Sequence, residues 1–249
     1  ARTDVFVAGS AGIAAALVRR PGVDPGRVVV APEFIDLRRE LDGRPRAVAP
    51  DREAARKAFG VPGRGFVVGA CASASWRKGA DLFVQLGEAL RRRGLFDDRG
   101  SVWLVWVGAP PQTEFVERLR FDLAVAGLDE RVRFVEPRRD LTATFAAFDA
   151  FVATSREDAL PLAALEAGRA RLPIVAFEST GLGDVYRSGE SVIVPFGDVE
   201  AMAETIRRWV DDRPTAHGLG IGAERRVAEE FDVGSGAPRW WAVVESMLT

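Results

Sequence analysis

The fold class this sequence predicts is a doubly wound α/β domain, a Rossmann-like parallel sheet covered by helices, and two observations predict it. From about residue 65 onward, short continuously apolar runs alternate with longer amphipathic stretches. Strands buried on both faces by helices need such runs. The alternation is also punctuated where helix ends require it: Gly94 follows Arg91, Arg92 and Arg93, Gly127 follows Ala126, and Asp198 precedes a periodic apolar stretch.

In chain order, residues 4–8 and 27–31 read as strands around a helix over 11–20 that Pro21 ends. They form a small βαβ unit expected to lack a sheet of its own. Residues 36–50, rich in Arg, Asp, Gly and Pro, read as a linker. Six strands are then expected, over 66–71, 102–107, 132–135, 150–153, 173–177 and 191–194. Among the helices between them, 80–92 carries Leu82, Phe83, Leu86 and Leu90 on one stripe, and 114–126 carries Phe115, Leu119 and Leu123. A further helix covers 199–210. Two terminal helices follow at 215–230 and 237–248, the last with Trp240, Trp241, Val244 and Met247 on an apolar side. The division expected is 1–49 as the tail of a preceding domain plus linker, 50–232 as the main domain, and 233–249 as a C-terminal crossover helix.

Composition bounds the function. The 249 residues are 47% hydrophobic and 28% charged, enough to bury a large core, and no apolar run approaches the roughly 20 residues of a spanning helix. A net charge of -2 gives no field that would draw nucleic acid. The single Cys71 excludes an intrachain disulfide and fits a reducing, cytoplasmic setting. The start at Ala1-Arg2-Thr3, without an initiator Met, suggests a fragment or processed product.

In open doubly wound sheets, ligands bind beyond the carboxyl ends of the strands. Three loops there are distinctive. Trp76-Arg77-Lys78-Gly79 sets two cations at a helix start, where free N–H groups and the dipole favour an anion such as pyrophosphate. The same residues also fit a solvated basic pair. Ser155 to Leu162 leads into a helix carrying Glu166, with Pro161 suited to the first turn. Asp158 and Glu166 could accept hydrogen bonds from sugar hydroxyls, or serve as a cap and a surface salt bridge. The third loop, Glu178 to Asp184, is small-residue-rich and permits close approach. Gly218-Leu219-Gly220-Ile221-Gly222 follows no strand and reads as flexible surface. His217 reads as a solvent residue and Cys71 as core.

Taken together, these stretches resemble the retaining glycosyltransferases of the two-Rossmann-domain (GT-B) type, group 1 or family 4-like, which include bacterial mannosyl- and glucosyltransferases. The match is strongest from Ser155-Arg156-Glu157-Asp158 through Leu165-Glu166-Ala167 into Leu172 to Ala176, the family's Glu-x7-Glu segment with Asp158 in place of the first Glu. Trp76 to Phe83, Val105-Trp106-Val107-Gly108 and Val192 to Asp198 add to it, so that the likeness covers roughly residues 50–212. The resemblance implies a donor-binding domain for a nucleoside-diphosphate sugar and retaining transfer of a hexose to a polysaccharide, glycolipid or other acceptor. It implies that Lys78 neutralises the pyrophosphate, Arg77 assists, and Glu166 binds the ribose. Asp158 and the backbone of Ala159, Leu160, Pro161 and Leu162 would hold the sugar, and Val135 and Pro137 would lie near the base. No metal or further cofactor is implied. The acceptor would be bound through an N-terminal domain outside this chain, and any membrane association would belong to that rest of the protein. One departure is that Gly69-Ala70-Cys71 lacks the Gly-Arg pair common in the family. The competing readings are a sugar-nucleotide epimerase, whose carboxylate and histidine sets are not seen, and a non-catalytic sugar-nucleotide-binding or assembly module.

Overall fold

A computed structural model describes residues 3–36, 51–96, 102–139 and 141–248. The chain opens with β1 (Phe6–Ala8), α1 (Ala11–Val18) and β2 (Val28–Val30). β1 and β2 pair in parallel, Phe6 opposite Val28, so this unit has a two-stranded sheet of its own, contrary to expectation. The pairing extends one residue further, the Ala31 N–H donating to the Ala8 carbonyl. No α1 residue is buried. The expected linker beyond Asp36 lies outside the described residues.

The main body follows as α2 (Arg52–Ala58), β3 (Phe66–Cys71), α3 (Ala80–Arg92), β4 (Val102–Val107), α4 (Glu114–Val125), β5 (Val132–Val135), α5 (Leu141–Ala146) and β6 (Ala150–Ala153). It continues through α6 (Leu162–Arg169), β7 (Ile174–Phe177), α7 (Leu182–Val185), β8 (Val192–Val194), α8 (Val199–Asp211), α9 (Arg213–Glu230) and α10 (Val233–Leu248). All six main strands are parallel, in the order β5-β4-β3-β6-β7-β8. Strand order therefore reverses between β3 and β6, and the crevice of a doubly wound sheet opens beyond their carboxyl ends.

Alternate residues of each strand supply two cores. Phe66, Val68, Leu104 and Trp106 pack with Phe83 and Leu86 of α3 and Ile206 of α8 on one face. Val67, Val105, Phe151 and Ile174 pack with Phe148 and Leu165 on the other. The amino ends of β3 and β6 are tied by Asp149, whose carboxylate accepts the Val67 N–H (2.7 Å) and Arg56 (2.5 Å), with Arg52 paired to it and Arg213 at 3.5 Å.

Two C-terminal readings are corrected. Gly218 to Gly222 lies inside α9 instead of forming a flexible surface segment. Gly220 is buried where a Cβ would overlap the Arg171 carbonyl, so packing against the turn before β7 overrides the glycines' low helix propensity. The last helix begins at Val233, four residues before the expected 237, and holds Pro238 within it. Its Gly236 lies under Phe34, and the Trp240 indole N–H donates to the Pro32 carbonyl at 3.0 Å, which fixes this helix to the segment after β2. No helix among the described residues is long and apolar enough to cross a membrane.

Candidate functional site

The loops after β3 and β6 enclose a cavity of about 360 Å³. Its wall includes Ala70 to Ser73, Lys78 and Trp106 from one side, and Phe151 to Ser155, Asp158 and Leu160 to Ala163 from the other. The Lys78 ammonium donates to the Asp158 carboxylate, and Ser155 Oγ lies 3.4 Å from the same oxygen. The two side chains are 17% and 10% exposed, shielded yet open to the cavity.

Local sequence explains this meeting. Gly79 caps α3 with φ of 70°, a left-handed conformation, and a Cβ there would overlap the Thr154 carbonyl. Thr154 Oγ1 donates back to the Gly79 carbonyl at 2.9 Å. Lys78 is thereby held against β6. On the other side Pro161 caps α6 with no side-chain acceptor, and Leu162 and Ala163 at that helix start line the cavity. α6 thus begins at its wall, and α3 begins two residues after the wall residue Lys78, both without a side-chain cap. First-turn N–H groups and the positive ends of two dipoles add to the ammonium, an arrangement suited to an anion.

The other predicted residues are distributed unevenly. Ala159, Leu160, Pro161 and Leu162 join Lys78 and Asp158 at or beside the cavity, all but Ala159 lining it. Arg77 is not brought in: its guanidinium donates to the Glu157 carbonyl at 2.9 Å. Val135 ends β5, its carbonyl accepting the N–H groups of Gly108 and Ala109, and neither it nor Pro137 lines the cavity. Glu166 is half-buried in α6 outside the cavity wall, and burial raises its carboxyl to about 7, with Arg169 opposing. Cys71, expected in the core, is partly exposed and lines the cavity because β3 ends there. Burial and then the nearby Glu166 charge push its thiol up to about 12. His217 lies exposed in α9.

Sequence reasoning missed Arg156. It forms a two-pronged pair with Asp81 (2.7 and 2.6 Å), donates to the Trp76 carbonyl and stacks 4.5 Å over the Trp76 ring. It fastens the two cavity loops to each other. A signal existed in the Arg-Glu-Asp run, but its partner Asp81 lies 75 residues away.

A second cavity of about 290 Å³ adjoins, lined by Ser10, Gly12 and Ile13 of the first βαβ unit, by Asp158, and by the loop from Glu178 to Asp184. Gly181 permits the approach, since a Cβ would overlap the Ala159 carbonyl, and its N–H donates to the Asp158 carbonyl at 2.9 Å. Asp184 accepts the Gly12 N–H (3.1 Å), and Glu178 accepts the Phe196 N–H (3.3 Å).

Residues 65–212, more than half of the chain, match the family model described as glycosyl transferases group 1. The chain belongs to that family. Within this glycosyltransferase family it is similar to the D-inositol 3-phosphate glycosyltransferase of Salinispora tropica, 33% identical over 90% of this chain and 47% of the relative. It is likewise similar to the lipopolysaccharide core biosynthesis mannosyltransferase LpsB of Rhizobium meliloti, 28% identical over 80% of this chain and 56% of that protein. The chain spans about half the length of the curated relatives it matches. Among solved structures, Anabaena Alr3699/HepE in complex with UDP-glucose has the same fold, with a TM-score of 0.84 and 20% identity over 98% of this chain and 64% of that one. The fold is thus that of the group 1 glycosyltransferases, and the cavity sits at its strand-order reversal.

Proposed function

We propose that this chain is the donor-binding domain of a retaining hexosyltransferase and that the first cavity takes a nucleoside-diphosphate sugar. The observation that carries the reading is the Lys78 ammonium at a cavity beside which two helices begin without side-chain caps. In this mechanism the nucleoside diphosphate leaves with growing negative charge, which the ammonium and the helix starts stabilise where it develops. As the pyrophosphate enters, Lys78 moves from Asp158 to phosphate. Asp158 is then free to accept a hydroxyl of the transferred sugar, beside the backbone of Ala159 to Leu162. Glu166 accepts from the ribose hydroxyls, and Val135 and Pro137 flank the base. Arg77 assists after releasing the Glu157 carbonyl. The acceptor, a glycan or glycolipid, meets the sugar on the side of the first βαβ unit and of the remaining half of a protein as long as its relatives.

One observation supports a second reading: Asp158 already pairs with Lys78 and Arg77 is turned away, so the cavity offers one compensated cation among the described residues. That reading is a binding module without transfer activity. Two measurements separate them. Calorimetric titration with UDP, GDP and ADP is expected to give saturable binding of one nucleotide, and binding of none rejects a donor site. On the full-length protein, proton NMR of the product is expected to show the anomeric configuration of the donor. Nucleotide binding without any transfer favours the module.

A further inference from the structure

The loops that follow β3 and β6 are joined by one guanidinium on both sides of Lys78. Arg156 donates to the Trp76 carbonyl, two residues before Lys78, at 2.7 Å. It also grips both oxygens of Asp81, three residues after Lys78 in the first turn of α3, at 2.7 and 2.6 Å. Its own backbone N–H donates to the Arg77 carbonyl at 2.9 Å, and Asp158 follows it by two residues. The ammonium and the carboxylate of the first cavity are therefore carried on two segments whose separation this side chain fixes. Neither Arg156 nor Asp81 lines that cavity. Their charges compensate each other in a two-pronged pair, a geometry that a planar guanidinium dictates and an ammonium does not. Among the described residues, two ion pairs cross between these loops, Arg156 with Asp81 and Lys78 with Asp158. A pyrophosphate that draws Lys78 away breaks the second and leaves the first to hold the loops.

We propose that Arg156 is a positioning residue of the donor site: through Asp81 and the Trp76 carbonyl it holds Lys78 where the donor's pyrophosphate arrives, without touching the donor. The inference rests on the donor reading of the first cavity. Groups preorganised for a developing charge lose much of their effect when displaced by about 1 Å, so a residue outside the cavity controls affinity inside it. The nucleoside part of the ligand makes no demand on Lys78, and its binding is independent of the clamp.

The test is calorimetric titration of the wild-type chain, Asp81→Asn, Arg156→Lys and the double variant with UDP, GDP and ADP and with the matching nucleosides, beside thermal melts that show each chain folded. Charge alone and positioning predict opposite signs for Asp81→Asn. Removing a negative charge near the cavity, or freeing Arg156 to reach the phosphates itself, would tighten diphosphate binding, whereas loss of the clamp weakens it. The expected result in Asp81→Asn is a diphosphate affinity about tenfold lower, with nucleoside affinity within about twofold of wild type. Arg156→Lys keeps the charge but loses the fork and the stacking plane, so a similar loss is expected. The double variant should add less than about twofold to either single loss, because both remove one contact. Unchanged or tighter diphosphate binding in a folded Asp81→Asn chain overturns the inference. So does an equal loss of nucleoside and diphosphate, the mark of general damage to the fold, or losses that multiply in the double variant. Absence of diphosphate binding in the wild-type chain rejects the donor reading and this inference with it, whereas binding that Asp81→Asn leaves intact rejects this inference alone.

Discussion

Two charged clusters stand at opposite ends of the same two strands, β3 and β6, and they are built differently. At the amino end Asp149 is surrounded by Arg52, Arg56, Arg213 and the Val67 N–H, with Arg56 only 3% exposed. At the carboxyl end Lys78 and Asp158 pair at the mouth of a cavity, beside two helix starts that lack side-chain caps. The difference teaches that an ion pair is informative through what surrounds it. The enclosed cluster holds strands together, whereas the open one leaves charge and N–H groups available to a ligand.

The largest expected effect tests the enclosed cluster. Asp149→Ala strands the buried Arg56 guanidinium and is expected to cost about 3–5 kcal/mol in urea unfolding. A loss below about 1 kcal/mol would erase the contrast between the two ends. Next, Gly79→Ala forces a side chain into a left-handed conformation and against the Thr154 carbonyl. It should lower stability by about 1–2 kcal/mol or more and displace Lys78, weakening nucleotide binding with it. If stability falls and nucleotide affinity does not, Lys78 is not held in place by that turn.

Glu166 sharpens the comparison through pH. Its carboxyl is raised from 4.5 to about 7, so the folded chain keeps a proton that the unfolded chain releases between those values. Its contribution to stability is therefore present below about 4.5 and lost as pH rises through about 7. Ribose hydroxyls would donate to the ionised form, so nucleotide affinity should rise from pH 6 to pH 8 by several-fold, with protons released on binding. Glu166→Gln is expected to flatten both profiles, and calorimetry in two buffers of different ionisation heat reads the proton release. The smallest effect concerns α9. Gly218 has open space around its Cβ position, and Gly218→Ala should stabilise by about 0.5–1 kcal/mol. Gly220→Ala should destabilise by overlap with the Arg171 carbonyl, and thermal melts distinguish the pair.

Much of this architecture is visible in the residues themselves. Runs such as Phe66–Cys71 and Val102–Val107 are apolar throughout because helices cover both faces of the sheet, and four of the six expected strands have the observed bounds. The loops that form the cavity are also visible, since they follow β3 and β6 and start helices. The Lys78–Asp158 contact is not, because its partners lie 80 residues apart and meet through the β3–β6 pairing of Val68 with Ala150 and Gly69 with Phe151. The directions of Arg77 and Glu166 depend on side-chain torsions and helix phase that spacing leaves open. At 218–222 the glycine spacing suggests flexible surface against the helix expected over 215–230, and the close approach of Gly220 to the Arg171 carbonyl decides for the helix.

The central claim is that the open cluster binds a nucleoside diphosphate through Lys78. The measurement that tests it most directly is calorimetric titration of the wild-type chain and Lys78→Ala with UDP, GDP and ADP, paired with thermal melts of both. The account predicts saturable wild-type binding of one nucleotide and, in a Lys78→Ala chain that the melts show to be folded, a loss of about tenfold or more, or about 1.4 kcal/mol and above. Unchanged nucleotide affinity in a folded Lys78→Ala chain would contradict it.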